Sequence, residues 1–472
     1  MLVLALESST SSAKAVVYDS EKGFLRERQE PFDKSVSSGG KSDPEAVFNL
    51  MIHNGSLAAA GYDIQAVALC SIWQSICAAD ENYHPVTQVY SWNFQDTSPL
   101  CEEIRKNETL TNDFYSRTGC MVSSIYPRFV LPYLREKGIN LSNKKFMSQG
   151  GYHFFRMTGE FLESGCTQSG AGFINLETMK YDDFILDYCG VHENQFGELA
   201  SFDDVRPLKE DIARMLKIPS GIPVVPAYAD GALNQVGSNA NRPGVMTISV
   251  GTSAALRVAA EKPDLPDSRH LWCYLGVGKK YIKGGAISGA CNCINWYKDT
   301  MLGGHFSFAE LEKKTGNPLP GFLPFLYGER CPGWQDGRAA EFTGVRFFHQ
   351  PADFYQSIQL GITFNMHQCY NDICENAGEP ESIIVSGGIT HSVPWCQMLA
   401  DVLGRQIRVS GNSSASTMGA AALALHAAGC LEDVTEFRED SEDAGMITPN
   451  PENAEYYKIK FLEYLDHYRN RQ

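Results

Sequence analysis

The sequence predicts an α/β protein built from two related domains. Three observations carry this expectation. The chain has 472 residues, 43% of them apolar and 20% charged, which is globular in composition and longer than one hydrophobic core ordinarily organises. Strand-like and helix-like runs alternate along it, the pattern of helices layered on a sheet. One unit also occurs twice. LVLALESSTSSAKAVVYD (2–19) and ISVGTSAALRV (248–258) each read as an apolar strand, a turn of small and hydroxylated residues, and a second apolar strand carrying one basic residue, Lys14 or Arg257.

Taken in order, the first unit opens the chain and IQAVALCSIW (64–73) follows as a buried strand. LCEEIRKN (100–107) and FVLPYLREKG (129–138) carry helical periodicity, the second stopped by Gly138. Pro243 and Gly244 mark a hinge near Asn241 to Gly244, so that residues 1–242 and 243–472 are expected to form separate domains. After the second unit, residues 354–378 form a long amphipathic helix ended by Gly378. SIIVSGGI (382–389) is then a strand and VPWCQMLADVLG (393–404) a helix.

Composition excludes several classes of function. A formal net charge of -16 argues against a nucleic-acid or anionic-membrane surface, because neutralising phosphates takes clustered Lys and Arg. Any small anionic ligand must be held locally, by backbone amides, a metal ion or a few basic side chains. The opening MLVLAL stops at Glu7, too soon for the apolar core of a signal peptide. The nearest approach to a membrane span is the short small-residue segment from Met418 to Cys430. Fourteen scattered cysteines with no CxxC pair indicate reduced thiols and a cytoplasmic location rather than zinc or disulfides.

The small-residue turns suggest chemistry. Consecutive uncovered amides in such a turn form a nest for phosphate oxygens, and hydroxyls add donors. Either turn alone reads as a plain hairpin turn; two of them at matching places in two domains can grip one polyphosphate from both sides. A third small-residue break, Ser386-Gly387-Gly388, runs from a strand into a helix, where a ligand can approach the backbone, and is a candidate adenosine shelf. The carboxylate candidates are Glu7, Asp19 and Asp230. Asp230, in VVPAYADGALNQVG, follows a strand-like run among small residues that leave access around it. A sugar hydroxyl needs an aligned base to become a nucleophile at neutral pH, and Asp230 suits that role; the plain alternative is a capping or loop aspartate. Glu7 suits magnesium through a bound water, with a structural carboxylate as its alternative.

With these residues on view, the chain is similar to the FGGY family of carbohydrate kinases. LESSTSSAKAVVYD, ISVGTSAALRV, AYADGALNQVG, FLPFLYGERCPGW (322–334) and SGGITHSVPWCQMLADVLG (386–404) resemble that family's motifs in order and spacing over essentially the whole chain, and ITPNPENAEYYKIKFLEYL (447–465) resembles its last helix. The resemblance implies two actin-like (ribonuclease H-like) domains with an ATP cleft between them, magnesium, and transfer of the terminal phosphate of ATP to a sugar, sugar acid or polyol. It places Thr10, Ser11, Ser12 and Lys14 in the first phosphate turn, Gly251 and Thr252 in the second, and Asp230 as base. Gly387 and Gly388 then fall on the adenine side, Asn295 near the ribose or phosphates, and Ser392 at an adenosine contact. Trp73, Gln74 and Trp92 fall on the sugar side.

Several positions depart from the family pattern. Glu7 stands for the expected Asp, and Ser9 for a Gly, which removes a permissive backbone position. Asp96 lies where an Arg is expected, and Val130 and Tyr133 replace Lys and Trp. The stretch LWCYLGVGKKYIKGGAISGACNCINWYKD (271–299) looks most like gluconate kinases, with xylulose kinases next. Arg128, Arg330 and Lys283 are the basic candidates for a substrate carboxylate, none of them assigned. The partners implied are ATP and a small sugar or sugar acid, with no nucleic acid and no membrane, and a homodimer is left open. Two rival readings stand beside this one: a nucleotide-binding module without chemistry, similar to actin or chaperone ATPases, and an acyl-phosphate kinase.

Overall fold

A computed structural model describes residues 1–411, 414–438 and 445–470 of the chain. In the first half the elements that place the site are strands β1 (Leu2–Ser8), β2 (Ser12–Asp19) and β3 (Gly23–Pro31), helix α1 (Pro44–Ala59), strands β4 (Ala66–Ser71) and β5 (Pro223–Ala229), and helix α2 (Asp230–Gly237). β1 pairs antiparallel with β2 and β2 with β3, while β1 pairs parallel with β4 and β4 with β5. The sheet order, from a short edge strand at Arg206–Pro207, is therefore edge-β5-β4-β1-β2-β3. β4 is buried at every position and β1 at all but Leu2, as expected of central strands covered on both faces.

The second half repeats this plan. Strands β6 (Val245–Val250), β7 (Ala254–Ala260), β8 (Trp272–Leu275) and β9 (Tyr281–Ile287) are followed by helix α3 (Pro351–Ala377), strand β10 (Ser382–Gly387), helix α4 (Val393–Leu403), strand β11 (Ile407–Val409), helix α5 (Ala415–Ala427), strand β12 (Gly445–Ile447) and helix α6 (Ala454–Arg469). The order is β8-β9-β7-β6-β10-β11-β12. β6–β7 is the antiparallel hairpin and β6–β10–β11 the parallel run, so the two sheets share one topology. The sequence repeat is thus a repeat of structure: Ser8 pairs with Ala13 at the mouth of one hairpin and Val250 with Ala254 at the mouth of the other. The long helix ends before Gly378, as its periodicity predicts, and Gly138 lies just past the helix Val130–Glu136 with φ +82.

The segment nearest in composition to a membrane span is α5. No helix among the described residues is long and apolar enough to cross a membrane. Ten of the thirteen residues of α5 are buried on all sides, because it packs on α2 and against β1 and β4 of the first sheet although it follows a strand of the second. Its glycine is required there. A Cβ at Gly419 would run into the Leu233 carbonyl on α2, and one at Gly237 into the Ala415 carbonyl on α5. The two helices cross at backbone contact and tie one sheet to the other.

Candidate active site

Asp230 is the first residue of α2, where the chain leaves the carboxyl end of β5. Parallel strands of an open sheet present their carboxyl ends to ligands, and Asp230 lines a cleft of ≈ 710 Å³. Its Oδ1 accepts the Gly231 amide at 2.7 Å. Burial raises its pKa to about 6, and the charge of Glu7 adds to the rise, while Arg257 and the Gly231 amide oppose it. A carboxyl poised there is ionised at neutral pH and is a much better proton acceptor than a solvated aspartate. Gly231 is the residue that permits this crowding. A Cβ on it would sit 2.5 Å from the Trp73 ring and 2.9 Å from Arg257 Nε.

Both hairpin turns reach the same cleft. Ser9, Thr10 and Ser11 line it from the first sheet, and Gly251, Thr252 and Ser253 from the second. The second turn does not use its glycine for an unusual backbone: Gly251 has no left-handed φ, and a Cβ there would meet nothing, so the glycine keeps the turn open toward the cleft. In the first turn Ser9 is likewise free of left-handed strain. The expected loss of a permissive position is corrected by its hydroxyl, which accepts the amides of Ser11 and Ser12 at 3.3 and 3.0 Å and donates to the Ser12 carbonyl at 3.0 Å. Two of the amides expected for phosphate are thereby engaged inside the turn. Thr10 Oγ1 accepts Trp92 Nε1 at 2.9 Å. Ser12 and Lys14 lie on β2 beyond the turn, with Lys14 Nζ donating to Ser414 Oγ at 3.1 Å.

The remaining wall is aromatic. Trp73, Gln74 and Trp92 line the cleft together with Trp272 and Tyr274 of β8. Trp73 is both core and wall: it is 4% exposed, and its Nε1 donates to the Cys166 carbonyl at 2.8 Å. Trp272 and Tyr274 stack at 4.3 Å, and Trp73 meets them edge-on at 5.7 and 4.8 Å. Arg257 and Arg330 also face this space. The sequence reading named Arg257 only as the basic residue of a strand and passed over Trp272 and Tyr274, since LWCYL carries the signal of a buried strand and nothing more.

The adenosine-side expectations divide. Gly387 lines the cleft. Gly388 is exposed and is not among the cleft residues, and a Cβ there would fall 3.0 Å from Cys291 Sγ. Asn295 is exposed at the end of the short helix Cys291–Asn295 and is not among the cleft residues. Ser392 caps α4, accepting the Trp395 amide at 3.2 Å and donating to Glu312 at 2.6 Å. Two of the departures from the family pattern are partners of each other, since Tyr133 Oη donates to Asp96 at 3.1 Å. Of the three basic candidates, Arg128 is fully buried and donates to Thr118 Oγ1 and to the carbonyls of Gly172, Cys120 and Met121. Lys283 faces Asp264 at 3.9 Å beside a different cavity. Only Arg330 reaches the cleft.

Glu7 lies behind Asp230 rather than in the cleft lining. One of its oxygens accepts Ser416 Oγ at 3.0 Å and the other accepts both Ser416 and Thr417 hydroxyls at the start of α5. No group of three or more His, Cys, Asp or Glu among the described residues forms a metal cage. Magnesium typically takes one or two protein carboxylates and completes its shell with water and phosphate oxygens, so Glu7, a carboxylate near enough to Asp230 to raise its pKa, fits that ion as a companion of a nucleotide.

Two sheets of one topology closing on a shared polar cleft, with a carboxylate at a strand end, define a two-domain α/β protein with its ligand site between the sheets. Residues 2–237 match the N-terminal domain, and residues 246–428 the C-terminal domain, of the FGGY family of carbohydrate kinases; the chain belongs to that family. It is a phosphotransferase that uses ATP with magnesium and an alcohol acceptor. It is 24% identical to a gluconokinase of Bacillus subtilis (strain 168), over 97% of this chain and 93% of the relative, and 24% identical to a xylulose kinase of Lactococcus lactis, over 99% and 96%. Among solved structures, a ligand-bound xylulose kinase and a gluconate kinase, both from Lactobacillus acidophilus, each superpose with a TM-score of 0.91 at 23% identity, covering 99% of this chain and 98% of theirs.

Proposed function

We propose that the chain phosphorylates a hydroxyl of a sugar or sugar acid held in the Asp230 cleft, with gluconate as first acceptor and xylulose or another ketopentose or polyol next. The observation that carries the residue assignment is the position of Asp230, at the start of α2 in a cleft walled by hairpin turns from both sheets. Asp230 accepts the proton of the acceptor hydroxyl as its oxygen attacks the γ-phosphorus in line. The bond to the bridging oxygen breaks, and ADP leaves with that electron pair. Thr10, Ser11, Gly251 and Thr252 face the phosphates, supported by Ser12 and Lys14 on the strand behind. Glu7 would hold magnesium through a bound water, and that ion would offset phosphate charge.

Gly387 and Gly388 border the adenosine, with Asn295 and Ser392 at its periphery. Trp73, Gln74 and Trp92 border the sugar, a tryptophan face and an amide suiting its C–H and O–H groups. The working division into domains is 1–242, binding sugar, and 243–472, binding nucleotide; residues 412–413, 439–444 and 471–472 lie outside the described ones. All fourteen cysteines are free, which supports a cytoplasmic enzyme. A homodimer remains part of the proposal, to be read by light scattering.

The test is an ADP-release assay across gluconate, xylulose, ribulose, glycerol and related polyols. Turnover of at least one acceptor is expected. ATP binding with no phosphorylated product across the panel would overturn the reading, and a hydroxylamine-labile product from a simple carboxylate would replace it with acyl-phosphate chemistry.

A further inference from the structure

We infer that Arg257 and Arg330 together form a recognition site for a carboxylate carried by the acceptor, so that the enzyme selects sugar acids over neutral sugars. The inference rests on the reading of the Asp230 cleft given above. Both side chains line that cleft. The Nε of each is buried and has no hydrogen-bond partner among the described residues. Arg257 is anchored by one nitrogen, Nη1 donating to Ser249 Oγ at 2.8 Å, and its Nε packs beside Gly231. Arg330 is held over the Trp92 ring at 5.6 Å. A guanidinium fixed at one end beside a cavity, with donors still to be satisfied, is prepared for a planar anion, which it can meet with two parallel bonds.

The charge balance points the same way. Arg330 is near enough for its charge to disfavour that of Arg257, which is also held below the ordinary arginine pKa by burial and is supported by Asp230. Two cations therefore share the cleft with one lining carboxylate, Asp230, because Glu7 lies behind it on the hydroxyls of Ser416 and Thr417. Two like charges in one cleft repel each other, and a ligand that supplies a second negative charge relieves both. The anion belongs to the acceptor rather than to ATP because of its surroundings. The neighbours of this pair are the Trp92, Trp73 and Tyr274 rings, surfaces that suit the C–H face of a sugar. Trp92 also meets Thr10 of the first hairpin turn, so the pair borders the phosphate turns as well, and the KM for ATP is the control that separates the two anions.

The experiment compares a six-carbon aldonate, gluconate, with glucitol, the neutral polyol of the same length that carries CH2OH in place of the carboxylate, using the full-length protein with ATP and magnesium. The parent is expected to favour the aldonate in kcat/KM. Arg330→Met is expected to lower the aldonate-to-polyol ratio by roughly 10- to 100-fold, the worth of a charge-assisted hydrogen bond, with the loss concentrated in the aldonate KM. Arg330→Lys, which keeps the charge and guards against a folding failure in the first variant, should recover part of the ratio. Equal losses for both acceptors, or a loss in the KM for ATP, would mean that the pair serves phosphate and would overturn the inference. A parent that turns over neutral sugars and is not inhibited by gluconate would overturn it while leaving the kinase reading intact. No turnover of any acceptor would bring down that reading, and this inference with it.

Discussion

Replacing Asp230 by Asn should separate stability from catalysis in opposite directions. The folded carboxyl has a pKa of about 6 against 3.8 for a solvated aspartate, a net figure that already contains the attraction of Arg257. Two units at 1.36 kcal/mol each make ionised Asp230 a liability of about 3 kcal/mol at pH 8. The sign follows from the direction of the shift. Its contribution to stability is fully present below 3.8 and is lost as pH rises through about 6, so the liability is about 1.6 kcal/mol at pH 5 and close to complete at pH 8. Asn keeps the shape and has no charge to desolvate. With an unfolding entropy of about 2.1 cal/mol/K per residue, Asp230→Asn should raise the Tm at pH 8 by about 3 °C if the chain unfolds as one unit, and about 6 °C if the first half unfolds alone. The gain at pH 5 should be about half as large. Sugar phosphorylation should fall by about 10²–10⁴-fold, the usual worth of a general base, while ADP binding persists. Scanning calorimetry at the two pH values and the ADP-release assay read both effects. Parental turnover would refute the base assignment; an inactive variant equally stabilised at both pH values would refute the electrostatic account of its burial.

Further outcomes follow from the same geometry. In the parent enzyme kcat/KM for the acceptor should rise with pH through about 6 and then level, because the base works only when ionised; a profile flat from pH 5 to 8 contradicts this. Gly231→Ala should push Trp73 and Arg257 away from Asp230 and raise the acceptor KM in steady-state assays, with nucleotide affinity measured by calorimetry changing little. Glu329→Ala would leave Arg338, which pairs with it at 2.9 Å, buried beside Tyr468 without its partner; a cost of about 3–5 kcal/mol is expected in urea unfolding, and a cost under 1 would show that the pair is not load-sharing with α6. Gly419→Ala should cost about 1–3 kcal/mol by forcing α5 off α2, seen as a lower Tm with a simultaneous loss of turnover.

How much of this was legible in the sequence depends on whether the signal is local. The two hairpins were, because strand, small-residue turn and strand occupy about a dozen consecutive residues and each turn must close on itself. Asp230 was singled out as well, by the small residues flanking it that leave access around its carboxylate, and it is found lining the cleft. Ser392 was legible differently: a serine ahead of Val393 and Pro394 carries the mark of a helix cap, which is the role its hydrogen bonds give it, whereas family position suggested adenosine. Arg257 was visible as a charge in an apolar strand, and its unpaired Nε was not, because that depends on Gly231 and Ser249 from other elements. The Glu7 partners could not be read at all. Ser416 and Thr417 lie some four hundred residues away, and no periodicity joins them to β1.

That last contact explains why the extra methylene of Glu7 is tolerated. An aspartate at the end of β1 would stop short of α5, whereas the glutamate reaches the hydroxyls of Ser416 and Thr417 at that helix's first turn. An anion at a helix N-terminus is favoured by the unpaired amides and dipole there. Meanwhile Asp230 begins α2, and α2 and α5 cross at glycine contacts that fix their separation. The two carboxylates are therefore attached, one covalently and one through hydrogen bonds, to the starts of the two helices that join the sheets. Glu7 and Asp230 both stand at strand ends of the first sheet, and α5, which follows a strand of the second, bonds the one and packs on the helix that carries the other. The longer side chain converts a strand-end carboxylate into a link between the halves, and its charge adds to the rise of the Asp230 pKa.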